Sequence, residues 1–209
     1  MNKIWTIGHS NHSYEQFLNL LRQADITAVA DVRSSPFSRH QSQFNKDILR
    51  RELRLDKIDY AFLGDELGGR PKRDDLYCEG VADYEKMAKT PDFKQGLERV
   101  IKGCAKYRIA LLCSEHDPID CHRCLLVGRA LSARGFAINH ILFDGKQKTQ
   151  TDIEAELLRA SKSNRADFFP EEQMASAYRD RAKKVAFSKI NRPSSDTPPA
   201  STEQEFANR

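Results

Sequence analysis

The stretch Ala110-Leu-Leu-Cys-Ser-Glu-His-Asp-Pro-Ile-Asp-Cys-His-Arg-Cys-Leu-Leu-Val-Gly-Arg-Ala-Leu131 decides the reading of this chain. It runs from a short apolar strand, through a loop rich in Cys, Glu and His, into the start of an amphipathic helix. Strand-loop-helix is where open α/β sheets bind ligands, because a helix N-terminus offers unpaired N–H groups and a positive dipole end. Here that position carries Cys113, Glu115, Cys121, His122 and Arg123. A connecting loop needs none of that chemistry.

Working outward, strand and helix signals alternate through the first 160 residues. Strands are expected at 3–8, 26–32, 58–63, 108–113 and 136–143. Ser13-Tyr-Glu-Gln16 has capping-box spacing ahead of an apolar helix face, and Thr90-Pro91 places proline at a first helical position. Helices are expected near 45–55 and 151–161, and Asp120 is expected to cap the helix that Gly135 ends. The second strand is apolar on both faces, as in a parallel sheet. This alternation predicts right-handed βαβ units: a doubly wound three-layer α/β sandwich with a mostly parallel sheet of about five strands. The domain is expected over 1–163. Residues 164–209 read as a polar, basic C-terminal extension, largely disordered after about 191.

The chain has 209 residues, 39% hydrophobic and 31% charged, with a formal net charge of +4. Six Lys/Arg and one Asp between 179 and 192 supply +5 of that, so the body is close to neutral. Nucleic-acid affinity from bulk charge therefore belongs to the extension. No run approaches the roughly 18 apolar residues of a membrane span. The first residues enter a strand pattern without the layout of a signal peptide, which makes a cytoplasmic setting the expectation. Five cysteines are an odd number and form no disulfide-like framework.

Ligands of such a sheet sit beyond the carboxyl ends of its strands. Those ends read Gly8-His9-Ser10, Asp31-Val32-Arg33, Asp65-Glu66 with Gly68-Gly69, and Cys113-Ser114-Glu115 with His122-Arg123. Each group has two readings. Arg33 and Arg39 either pair with a surface carboxylate or offer a planar donor fork to phosphate. Arg123, a cation in the first turn of a helix, opposes the dipole and calls for an anionic partner, a ligand or Glu115. His9 and His122 are hydrogen-bonded structural residues or proton carriers. Glu66, Glu115 and Asp31 compete for the role of base or nucleophile. Cys113 is a small core filler or a thiol activated by His122 and Arg123. Cys113, Cys121 and Cys124 supply donors enough for zinc, but a single helical Cys-x2-Cys pair lacks the usual knuckles, so neither metal nor cofactor is expected. Nucleotide-binding glycine motifs and the hydrolase nucleophile elbow are absent from the sequence.

Thr6-Ile-Gly-His-Ser-Asn11, Asp31-Val-Arg33 with Arg39 and Phe44-Asn45, Leu67-Gly-Gly69, Tyr84, and Cys113-x-Glu115 with Cys121-His-Arg123 resemble the family catalogued as domain of unknown function 488. The likeness covers roughly 3–143 and implies an α/β domain with an undefined active site. It names no reaction. The leading expectation is an enzyme acting on a phosphate-bearing or nucleotide-like substrate, a small anion or part of a nucleic acid. Glu66, Glu115, Cys113, His122 and His9 would do the chemistry, while Ser10, Asp31, Arg33, Arg39, Gly68, Gly69 and Arg123 would bind. The alternatives are a non-catalytic nucleotide or nucleic-acid binding module, and thiol chemistry by sulfur transfer or a Cys113–Cys121 redox pair.

Overall fold

The computed structural model describes residues 2–161 and 169–190. The tail expected to be disordered after about 191 lies outside them. The strands, in chain order, are β1 (Lys3–Gly8), β2 (Ala28–Asp31), β3 (Asp59–Phe62), β4 (Tyr77–Cys78), β5 (Val81–Ala82), β6 (Ile109–Cys113), β7 (Ala137–Ile141) and β8 (Gln147–Thr149). The helices are α1 (Tyr14–Gln23), α2 (Lys46–Leu55), α3 (Gly64–Leu67), α4 (Tyr84–Met87), α5 (Pro91–Gly103), α6 (Arg129–Ser132), α7 (Gln150–Ala160) and α8 (Pro170–Val185). A six-stranded sheet has the order β3-β2-β6-β1-β7-β8, parallel throughout except for the edge strand β8. This is the doubly wound three-layer sandwich, with one strand more than expected.

Alternation along each strand builds the two outer layers. On β1, Trp5 and Ile7 join Val29 and Leu112 against Phe17, Leu21, Leu49 and Leu53 of α1 and α2. Ile4, Leu111 and Ile138 face the other way, against Leu97, Val100, Leu125, Ile153 and Tyr178 of the remaining helices. Each such fully buried leucine or isoleucine contributes about 1.5–3 kcal/mol. Cys113 points to this second face. The Ser13–Gln16 capping box forms, and Thr90 accepts from Phe93 N–H.

The segment after Cys121 departs from expectation. Arg123–Gly128 is a π-helical turn, buried on every side, that leads into α6. It is therefore not amphipathic, and Asp120 does not cap it: the residue at that position is His122, without a side-chain cap bond. Asp120 pairs instead with Arg181 of α8. The reason is coverage: α8 packs on α7 and on the turn before the π-helical segment, burying Ala177 and Tyr178, so the face expected to meet solvent meets protein. Beyond α8, Phe187 C=O accepts from Ala82 N–H and Gly80 C=O accepts from Lys189 N–H, which ties the chain to the β4–β5 hairpin. None of the described helices is long and apolar enough to cross a membrane.

Candidate active site at the carboxyl rim

From β2 the chain runs through α2 to β3 on one side of the sheet. From its neighbour β6 it runs through the π-helical turn and α6 to β7 on the other side. Adjacent strands whose connections diverge leave a crevice at their carboxyl ends. A pocket of about 290 Å³ occupies it, lined by Arg33, Ser34 and Ser35 after β2 and by Cys113, Ser114 and Glu115 after β6. Cys121 and His122 complete its floor, Gly69, Arg70 and Tyr84 one wall, and Val185 and Phe187 another.

At the floor, Nε2–H of His122 donates to the Val32 carbonyl at 2.9 Å, so its Nδ1 turns toward the thiols. The Sγ atoms of Cys113 and Cys121 lie 3.7 and 3.8 Å from that nitrogen. Gly69 makes room for the ring, since a Cβ there would come within 2.8 Å of the imidazole. A hydrogen bond from Cys121 and the nearby His122 and Arg123 charges pull the Cys113 thiol well below its usual range, against the cost of burial. Burial, together with the Cys113 charge, pushes Cys121 well above it. Burial alone would lower His122, but the negative Cys113 raises it. Burial and then Cys113 raise Glu115. The floor therefore favours negative charge on Cys113 over Cys121, with the His122 imidazole beside both sulfurs.

Arg33 and Arg123, the two arginines expected to bind an anion at these strand and helix ends, behave differently. Arg33 forms a two-pronged pair with buried Asp31, Nε to Oδ1 at 2.9 Å and Nη2 to Oδ2 at 2.6 Å, and Nη2 also donates to the Phe44 carbonyl. Tyr60 adds a bond to the same carboxylate at 2.7 Å. Asp31 thus serves Arg33, and Nη1 takes no part in these bonds. Arg123 is fully buried, with Nη1 on the Glu115 carbonyl at 2.7 Å and Nη2 on that of His116 at 3.1 Å. It shapes the loop that presents Glu115. Gly8 leaves room for this loop, because a Cβ on it would lie 1.9 Å from the Glu115 carbonyl oxygen.

The remaining expected residues lie around the pocket rather than in it. Nδ1–H of His9 donates to the Ser10 carbonyl, its Nε2 accepts from Ser114 Oγ at 3.1 Å, and its ring stacks on Phe44. Burial, then the Arg33 charge, lowers His9 to about 4. Ser10 adopts a left-handed φ of 45° at the end of that strand. Gly68 packs on Gly64 and Ser34. Glu66 turns to α5, where it pairs with Arg99, and lines a separate surface pocket with Asp65 and Arg73. It does not meet Glu115. Arg39 is exposed on the loop after β2. Cys124 turns away from the floor, with Gln150 Nε2 donating to its Sγ at 3.5 Å, and burial pushes it up to about 12.

The lining includes residues that sequence reasoning passed over. Ser34 and Ser35 follow Arg33 directly, and strand-end reading could have included them. Val185 and Phe187 had no signal, because they lie at the end of a polar helix and just past it, beyond the expected domain. A family model described as Domain of unknown function DUF488 matches residues 13–130. Searches among curated proteins and among solved structures each gave no significant match. The family match covers more than half of the chain and reaches from α1 to α6, taking in Arg33, Gly69 and the whole thiol–imidazole floor. The chain belongs to the DUF488 family.

Proposed function

We propose that the chain is an enzyme acting on a phosphate-bearing or nucleotide-like substrate in the rim pocket, with Cys113, His122 and Glu115 as its reacting groups. The observation behind this reading is the shared lining: donors suited to an anion and groups suited to proton transfer or nucleophilic attack border one cavity. Asp31 holds the Arg33 guanidinium in one orientation, which lowers the entropy cost of using Nη1 on a ligand. Arg70, stacked over the Phe187 ring at 4.9 Å, and the Ser34 and Ser35 hydroxyls stand beside it. The volume is at the low end for ligand pockets, so it suits a small anion or a single base or sugar phosphate presented by a larger nucleic acid. Reduced thiols are required, as in a cytoplasmic setting.

Calorimetric titration with inorganic phosphate and with mononucleotides tests the reading. Binding is expected, weakened about tenfold in Arg70→Ala through loss of one charge-assisted bond. If none of these ligands binds, the substrate class is wrong. Binding that survives Cys113→Ser and Glu115→Gln, with no turnover by the native chain, would make the protein a binding module.

A further inference from the structure

The thiol–imidazole floor has the dimensions of a metal site. A tetrahedral ion with bonds of about 2.3 Å to sulfur and 2.0–2.1 Å to nitrogen sets S and N about 3.6 Å apart. The two sulfur–Nδ1 distances are 3.7 and 3.8 Å, and all three donor atoms lie within 4.8 Å of one another. We propose that Cys113, Cys121 and His122 bind a zinc ion through their two Sγ atoms and Nδ1, with the fourth coordination position open to the rim pocket.

The surroundings fit that ion as closely as the donors do. Metal-bound histidines usually donate their second N–H to a carbonyl, which fixes the ring and raises its basicity. Nε2–H of His122 does this with Val32, leaving the Nδ1 lone pair for the ion. The Arg123 backbone N–H donates to Cys121 Sγ at 3.4 Å, a bond that stabilises a thiolate. Charge balance agrees: two thiolates, a neutral imidazole and a divalent ion sum to zero, so the buried floor carries no net charge. Thiolate with imidazole selects zinc over the hard cations.

The set differs from the three-cysteine set that the sequence suggests. Cys124 is occupied by Gln150, and His122 takes its place. Three protein ligands with one open position is the pattern of catalytic zinc, whereas structural sites are closed by four. An ion there would meet a water or a substrate oxygen in the pocket and place the reaction in the metal-assisted class, with Cys113 and His122 holding the ion instead of reacting directly and Glu115 left to carry protons. Only this last step rests on the proposed function; the metal site itself does not.

The test uses the full chain, purified without chelator, then stripped and titrated with Zn(II) and with Co(II). About one zinc per chain is expected by elemental mass spectrometry. Cobalt should give tetrahedral visible bands and a thiolate-to-metal charge-transfer band. Cys113→Ser and Cys121→Ser should each lose at least about tenfold in affinity, and Cys124→Ser should match the native chain. Footprinting guards against variants that misfold: in the native chain zinc should protect Cys113 and Cys121 from iodoacetamide and leave Cys78 reactive. The inference is overturned if cobalt gives the stripped native chain no charge-transfer band, if Cys121→Ser binds cobalt as tightly as the native chain, or if zinc protects neither thiol. Zinc binding without phosphate binding would remove the proposed substrate and leave this site. Phosphate binding without zinc would do the reverse.

Discussion

His140 and His122 are both buried, each at the centre of a polar cluster, but the clusters end differently. Nε2–H of His140 donates to Gln150 Oε1 at 2.9 Å, and its Nδ1 accepts from Thr6 Oγ1 at 2.8 Å. Gln150 passes on to the Tyr178 hydroxyl, and that hydroxyl to Glu154. Every ring atom that can bond has a partner with a fixed role, and the chain of bonds ties β1, β7, α7 and α8 together. His122 has one nitrogen fixed in the same way on Val32, while the other faces two thiols at the floor of an open pocket. Burial of a histidine therefore says little about function. What distinguishes a reactive cluster is a donor or acceptor left facing a cavity.

Acid should produce the largest effect on the complete clusters. His140 and His9 are lowered from 6.5 to about 4, mainly by burial, so both are neutral in the native state. Between pH 6.5 and 4 the unfolded chain binds protons that the native chain refuses. Their stability contribution is thus present above pH 6.5 and falls as pH drops toward 4, by about 3 kcal/mol for each histidine. Urea unfolding across this range should show the loss, reduced by roughly half in His140→Asn; an unchanged slope in that variant would place the proton uptake elsewhere.

Truncation should separate the two clusters next. His140→Ala leaves a cavity and strands Thr6 and Gln150, a cost of about 3 kcal/mol. His122→Ala opens onto a pocket that water can enter, so about 1 kcal/mol is expected, with loss of the fast alkylation of Cys113 in metal-free protein. If the two costs came out reversed in denaturant melts, the contrast between a structural and a reactive cluster would fail.

Much of this was readable in the residues and some was not. The second strand carried a two-sided apolar run, and the rim followed from where the strand patterns end. The edge strand β8 is Gln-Lys-Thr, held by backbone pairing with β7, so no apolar pattern marks it. The rim residues could be named, but not their orientation. A guanidinium bonds a backbone carbonyl as well as a phosphate, and only the packed loop shows that Arg123 does the former. Glu66 sits on a four-residue helix whose register aims it at α5. The same limit left the pairing of Cys121 with Cys113 one reading among several, because it depends on how the loop between them closes.

Smaller changes sharpen the contrast further. Gly69→Ala should cost about 1 kcal/mol in stability, because the new Cβ displaces the His122 ring, yet slow Cys113 alkylation clearly. Thermal melts together with thiol labelling would read both. Arg39→Ala should change neither the melting temperature nor phosphate binding, and a weakened phosphate isotherm would bring that loop into the site.

The place of β1 in the sheet also governs when the molecule can form. It precedes the other described strands along the chain, yet its partners are β6 and β7, with Trp5 opposite Ala110 and Lys3 opposite Ala137. On a ribosome this strand must wait for about a hundred further residues before its hydrogen bonds can close. Closing loops of that length makes folding slow and keeps an apolar strand exposed meanwhile. The nascent chain should therefore depend on chaperone cover until β7 has emerged, and stalled chains that stop before it should aggregate.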